Sequence, residues 1–367
     1  MRVMSISSAL VAVIMCLLLA ANASAQQRYL YIYDHATMTT DSMPVSEAAS
    51  WLTSSTPWFA GTMPGRSDLP NQMPPPEALV GDMSRMRPAR DYVNVAHYPA
   101  RTISALRIMR DGESRASCSA TLVGPRWVLT SAHCLYETSL PSSHKHWDYR
   151  VYPAWDDSAS QTIVPFARVI RTYTVNAPDA GPLRNDIALL ELDAPIGQEL
   201  GWVGLLTFPN ADFIENVVAH RLSYPAYIDR RDTNRRYDGD TMWYRYGAVR
   251  RESDHIWTLD HFGISGESGS SVIIPSDGGY AAIATVSYSA MLASRQIDST
   301  TFEQFARLIL PTVASVDNRK GAGSPPIEEL DLGEFYTLQG VRVYPGQLLA
   351  GGMYLHVSQG KVTLHLH

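Results

Sequence analysis

The stretch Cys118-Ser119-Ala120-Thr121-Leu122-Val123-Gly124-Pro125-Arg126-Trp127-Val128-Leu129-Thr130-Ser131-Ala132-His133-Cys134 decides the fold. Two short apolar runs, 118–123 and 127–130, flank Gly124-Pro125-Arg126, and glycine beside proline is a turn signal. The spacing predicts a β-hairpin that ends just before His133 and holds that imidazole at the mouth of a strand. Comparable runs lie at 102–108, 187–192, 217–222, 272–274 and 281–286, punctuated by Gly, Pro and Asp without interleaved helices. Many short strands of this kind predict an all-β barrel or sandwich.

Two further stretches give His133 company. Gly266-Glu267-Ser268-Gly269-Ser270 sets a serine between glycines before the apolar residues 271–274, which fits a tight turn lifting one hydroxyl out of a strand end. Asn185-Asp186-Ile187-Ala188-Leu189-Leu190 sets an aspartate at the mouth of another apolar run. A serine hydroxyl is a poor nucleophile at neutral pH unless a base takes its proton, and that base needs a third group to fix its tautomer and stabilise its cation. Taken singly, each residue has an ordinary structural use: core histidine, strand-end cap, turn serine. Together, in the chain order His, Asp, Ser, they form a candidate nucleophilic triad. A lipase or esterase would require Ser before Asp before His.

Composition bounds the remaining choices. A chain of 367 residues holds one large domain or two mid-sized ones with extensions. It has 30 basic and 36 acidic side chains, net −6, which gives no electrostatic case for nucleic acid. With 45% hydrophobic and 18% charged residues it is globular in class. Arg2, the apolar run 9–21 and Ala23-Ser24-Ala25 predict a signal peptide, 1–25, and a secreted product. Cys16 leaves with it, so Cys118 and Cys134 remain in an exported protein and are expected to form a disulfide, the alternative being two buried free thiols. His144 and His146 have no carboxylate or cysteine clustered with them, so no metal site is expected, and the mixed-sign run 229–236 reads as a solvated loop.

Residues 26–79 are aromatic and polar by turns and end in Met73-Pro74-Pro75-Pro76, a stiff break, so this segment is read as a candidate pro-region. Residues 301–310 have helical apolar spacing; Thr301 with Gln304 reads as a capping box and Pro311 as the stop. Residues 316–334 read as a linker, and 335–367 alternates around Gly340, Gly346, Gly351-Gly352 and Gly360 as a small β-rich appendage.

These motifs resemble the chymotrypsin-like serine peptidases and, within them, the glutamyl endopeptidase branch found in bacteria. The likeness begins near Val80-Gly81-Asp82 and passes through Tyr98-Pro99-Ala100-Arg101-Thr102-Ile103. It is strongest over 118–134, continues over 185–197 and Tyr224-Pro225, and reaches the serine motif and closing helix, covering 80–315. The resemblance implies two six-stranded antiparallel barrels, with a C-terminal helix and the site in the cleft between them. His133 and Asp186 would come from the first barrel and Ser268 from the second. It further implies that His133 serves as general base, Asp186 as its orienting partner, Ser268 as nucleophile, and the backbone N–H groups of Gly266 and Ser268 as the oxyanion hole. Polypeptide substrates, no cofactor and a monomer follow from the same likeness. The rival reading is a catalytically silent homologue serving as an adhesin or binding module.

Substrate choice rests on departures from that family. Its glutamyl branch reads an acidic side chain with a histidine where this chain has Val286, and an isopropyl group cannot donate a hydrogen bond to a carboxylate. No aspartate stands where trypsin-like members place one, so His261, Phe262, Val286, Ser287 and Ser289 are the candidate substrate-binding residues, and a small or apolar side chain is open to them. Glu267 replaces an aspartate that in trypsin-like members pairs with a freed amino terminus; a new terminus near Val80 is expected to pair with it. The tail, through 336–343, Gly352-Met353-Tyr354 and Gly360-Lys361, resembles the sorting domain of the type IX secretion system of certain Gram-negative bacteria, which implies the outer-membrane secretion machinery as a partner.

Overall fold

The computed structural model describes residues 28–45, 58–59, 61, 69–70, 86–136, 148–156, 165–176, 185–207, 217–228, 236–251, 256–259, 264–276, 279–288, 293–320, 334–337, 342–343, 353–358 and 361–366. The chain opens with a hairpin, β1 (Arg28–Asp34) and β2 (Thr39–Val45), then two very short strands, β3 (Trp58–Phe59) and β4 (Arg87–Pro88). Six strands follow: β5 (Ile103–Arg110), β6 (Glu113–Gly124), β7 (Trp127–Thr130), β8 (Asp148–Pro153), β9 (Ala167–Asn176) and β10 (Ala188–Leu192). They pair in the order β10-β7-β6-β5-β8-β9 and close through β9–β10, giving a six-stranded barrel. The β6–β7 register, Thr121↔Leu129, Leu122↔Val128 and Gly124↔Trp127, puts the turn at Gly124-Pro125-Arg126, where the sequence predicts it.

A short helix, α1 (Gly197–Leu200), and β11 (Gly204–Leu206) lead into the second half. It comprises β12 (Ala219–Ser223), β13 (Ala226–Ile228), β14 (Arg236–Asp238), β15 (Trp243–Gly247), β16 (Val249–Arg251), β17 (Ile256–Leu259), β18 (Ser271–Ser276), β19 (Gly279–Tyr288) and β20 (Ala293–Gln296). Its ladder runs β16-β17-β20-β19-β18-β12-β15-β4, with β11 and β3 joined beside β19 and β13–β14 as a separate ribbon. The predicted second six-stranded barrel has no closing ladder among the described residues. The long helix α2 (Ser299–Lys320) follows, then β21 (Glu334–Thr337), β22 (Arg342–Val343), β23 (Met353–Ser358) and β24 (Lys361–Leu366) in a four-stranded sheet of their own. No helix among the described residues is long and apolar enough to cross a membrane.

Packing follows the two-residue period of a strand, whose alternate side chains face opposite ways. Leu106, Ile108, Leu122, Val128 and Leu190 fill the barrel interior. Their neighbours Ala105, Val123, Leu129 and Leu189 face outward into a second cluster shared with Leu222, Tyr244, Ile273, Phe302 and Phe305. Strands buried on both faces explain why the runs are nearly continuous in apolar residues rather than alternating.

Helix α2 departs from expectation at both ends. Its cap is Asp298, three residues ahead of Thr301: Thr301 N–H donates to Asp298 Oδ1 (2.8 Å) and Phe302 N–H to the Asp298 carbonyl (2.8 Å). A carboxylate serves better than a hydroxyl here because it also meets the positive end of the helix and is fixed by Arg28 and Arg295. Nor does Pro311 end the helix, which continues to Lys320, into the span read as linker. Proline in a helix costs about 3 kcal/mol, and the buried stripe Phe302, Phe305, Ala306 and Ile309 holds the preceding turns on the core against it.

Candidate active site

The β7–β10 ladder is what brings a histidine and an aspartate together. Thr130 pairs with Ala188, so the residues just beyond that rung, His133 on one strand and Asp186 on the other, emerge side by side. A 3-10 turn, Ala132–Cys134, carries His133, and the Cys118–Cys134 disulfide ties that turn back to β6. Asp186 Oδ1 accepts the backbone N–H of His133 at 2.8 Å, and Oδ2 lies 2.7 Å from His133 Nδ1. Ser287 Oγ donates to Oδ2 as well. The carboxylate is thus buried, 6% exposed, and fixed on three sides, whereas the imidazole is 40% exposed. With Nδ1–H donated to the carboxylate, Nε2 is left as the lone-pair nitrogen of the ring.

The serine turn is wedged against this corner from the second half of the molecule. Gly266 and Gly269 both have positive φ, +87° and +81°. A Cβ on Gly269 would lie 2.1 Å from Thr130 Oγ1 and 2.4 Å from the Ser119 carbonyl, and one on Gly266 would lie 2.4 Å from Ala226 N. Only glycine admits both the backbone conformation and the close approach. Between them Ser268 is half-buried. Ser119, next to the disulfide on β6, grips the turn on both sides: its N–H donates to the Ser268 carbonyl at 2.7 Å and its Oγ to the Gly266 carbonyl at 2.9 Å. The Val286 carbonyl then joins the two halves, accepting Ser131 Oγ at 2.7 Å and Gly269 N–H at 2.9 Å. Ser131 is two residues before His133 and Gly269 one after Ser268, so the histidine corner and the serine turn are pinned to one oxygen.

Of the candidate substrate residues, Val286 is 1% exposed and contributes its carbonyl to this knot, while the Ser287 hydroxyl serves Asp186 rather than open space. His261, Phe262 and Ser289 lie outside the described residues, as does Val80.

Glu267 has partners the sequence did not announce. Its carboxylate is wholly buried and receives Ser223 Oγ at 2.9 Å on Oε1, and the Ile264 N–H at 2.7 Å on Oε2. Arg245 Nη2 also donates to Oε2, and Arg221 Nη2 lies 3.4 Å from Oε1. Burial works to raise its pKa, but the charges of Arg221 and Arg245 prevail and hold it below the usual carboxylate range. In the uncut chain, two arginines from β12 and β15 neutralise the Glu267 carboxylate; the residues near Val80, from which a new amino terminus is expected, lie outside the described ones.

Residues 95–224 match the trypsin family model. That span holds His133 and Asp186 and ends before the serine turn. A curated relative, the glutamyl endopeptidase of Bacillus licheniformis, is 24% identical over 204 residues, 53% of this chain and 54% of its own; the chain thus spans about half the length of that relative. Among solved structures, a Glu endopeptidase in complex with MPD is similar at TM-score 0.48 and 22% identity, covering 63% of this chain and 98% of that one. A thermostable serine protease, AL20, from an extremophilic microorganism is similar at TM-score 0.44 and 16% identity, covering 57% and 97%. Over residues 95–224 this all-β chain is similar to the trypsin family, and a glutamyl endopeptidase is among the proteins it resembles.

Proposed function

We propose that the protein is a secreted serine endopeptidase in which Ser268 attacks the carbonyl carbon of a peptide bond. His133 Nε2 takes the hydroxyl proton as the C–O bond forms, then delivers it to the departing amine as the C–N bond breaks, leaving an acyl ester on Ser268. Water, deprotonated by the same nitrogen, hydrolyses that ester and returns the serine. Asp186 holds the imidazole by Nδ1 and stabilises the cation that forms in each half-reaction. The backbone N–H groups of Gly266 and Ser268 are assigned to the developing oxyanion; loss of one such donor typically costs about 2.7–4 kcal/mol of transition-state stabilisation.

The observation that carries this reading is the shared Val286 carbonyl, which ties the segment before His133 to the residue after Ser268 while Asp186 grips the ring. Export through residues 1–25, and engagement of secretion machinery by the tail from 335, belong to the same proposal. For the side chain preceding the cut bond, a buried valine at 286 in place of a histidine argues against strict recognition of glutamate and leaves small or apolar residues as the proposal. A peptide library digested with the isolated enzyme and with Ser268→Ala tests both parts. Cleavage after small or apolar residues, absent in the variant, is expected. Equal cleavage by the variant would end the assignment of Ser268, and cleavage confined to glutamate would end the specificity reading.

A further inference from the structure

The segment that reads as a pro-region supplies two strands of the first sheet. Strand β9 has two edges: one is taken by β10 over Val169 to Tyr173. On the other, β8 reaches only Ala167 and Arg168, and β1 continues the ladder from Arg171 to Asn176. The His35 N–H extends it by donating to the Ile170 carbonyl at 3.0 Å. Hairpin 28–45 therefore completes a barrel edge that no other described strand covers, and removing it would expose both that ladder and the apolar surface beneath.

Side chains of the hairpin belong to the core. Leu30 and Val45 are 4% and 7% exposed and share a cluster with Tyr173 and Val175. Tyr33, 2% exposed, lies close enough to Tyr136 to join burial, the larger cause, in raising that phenol's pKa; Tyr136 is three residues past His133. His35 Nε2 lies 3.0 Å from Thr172 Oγ1, and its ring packs edge-on to Tyr149 at 5.4 Å. At the other end of β1, Arg28 Nη1 donates to both Asp298 oxygens, at 2.9 and 3.0 Å. That carboxylate caps α2 and also pairs with Arg295 of β20, so the hairpin bridges the first sheet to the head of the helix. Further along the same segment, β3 pairs with β11, and Leu69 is buried in the shared core.

We propose that residues 28–45 remain in the working enzyme as fixed strands behind the His133 corner, so that a cut after Val45 leaves them bound as a second, noncovalent chain. The inference rests on the serine peptidase reading for its label alone. The exported, mature protein is treated with a fluorophosphonate and weighed under native and denaturing conditions. Expected is a labelled species whose native mass includes residues 28–45, as one chain or as an accompanying peptide after denaturation. A fully active, labelled species whose native mass lacks those residues would overturn the proposal. If Ser268 takes no label, the serine peptidase reading fails, and the native mass of the unlabelled mature protein still decides whether the hairpin is kept. Arg28→Ala gives a second readout: the mature variant should melt several degrees below wild type with kcat/KM unchanged at 25 °C. Identical melting of the two mature proteins would mean the hairpin is gone.

Discussion

Two carboxylates, Asp186 and Glu267, are each fixed by several donors, yet their surroundings differ in one respect. Around Asp186 the partner is an imidazole with 40% of its surface open. Around Glu267 the partners are arginines only 1% and 8% exposed, and the carboxylate itself is sealed. In the proposed mechanism the first arrangement would serve proton transfer, whereas the contacts of the second hold the turn before Ser268 in place.

The contrast is broken most severely at the open pair. Asp186→Asn keeps the shape but presents an amide that favours the wrong imidazole tautomer, and kcat on a peptide substrate should fall by about 10⁴ with little change in thermal midpoint. An unchanged kcat would separate the aspartate from the chemistry. At the closed pair the effect should move from rate to stability: Glu267→Ala strands two buried guanidinium groups, and urea unfolding should show a loss of about 3–5 kcal/mol. Glu267→Gln keeps the hydrogen-bonding shape and should lose less. If Glu267→Gln were as stable as wild type but inactive, Glu267 would belong to the chemistry after all.

His220 sharpens the comparison because it is a histidine built the opposite way from His133. It is wholly buried, its Nδ1 is 2.8 Å from the Tyr244 hydroxyl, and it stacks on Tyr244 and Tyr246. Burial lowers its pKa to about 3. The unfolded chain takes a proton on this ring near the ordinary value of about 6.5, whereas the folded chain refuses it until about 3. Stability linked to His220 is therefore fully present above about pH 6.5 and is lost as pH falls towards 3, by a few kcal/mol in all. His220→Phe should flatten that acid limb in a plot of unfolding free energy against pH; an unaltered limb would show that other groups set it.

Smallest is the effect expected at the hinge between the two regions. Ser119→Ala removes the hydroxyl that donates to the Gly266 carbonyl and accepts the Tyr224 N–H at 2.8 Å. Leaving those groups unpaired should cost about 1–3 kcal/mol of stability, with a modest fall in kcat as the turn loosens. A variant as stable and as fast as wild type would show that the Ser119 N–H alone suffices.

How much of this was legible depends on whether the cause is local. The hairpin ending at His133 is written in consecutive residues, since strand runs and a Gly-Pro turn act over a few positions. The positions of Asp186 at a strand mouth and Ser268 between positive-φ glycines are legible for the same reason. Ser119, Ser131 and Ser287 were not, because each earns its place through a partner 101 to 155 residues away, and nothing near them in sequence announces it. Arg221 reads as an ordinary residue of the 217–222 run and nothing near Arg245 in sequence marks it, although a buried glutamate before the serine calls for buried cations. The place of the hairpin 28–45 is not legible, because its alternation of tyrosines with Leu30 and Ile32 marks a strand without naming the edge of β9 that receives it. The Asp298 cap is not legible in the same way, because it lies outside the apolar stripe that marks the helix.

The central claim, that His133 draws the proton from Ser268, is tested most directly by the rate at which a fluorophosphonate modifies the protein before and after His133→Ala. Stoichiometric modification of Ser268 alone in the wild type, and a fall of several orders of magnitude in the variant, is the predicted result. Modification of Ser268 at the same rate in both proteins would contradict it.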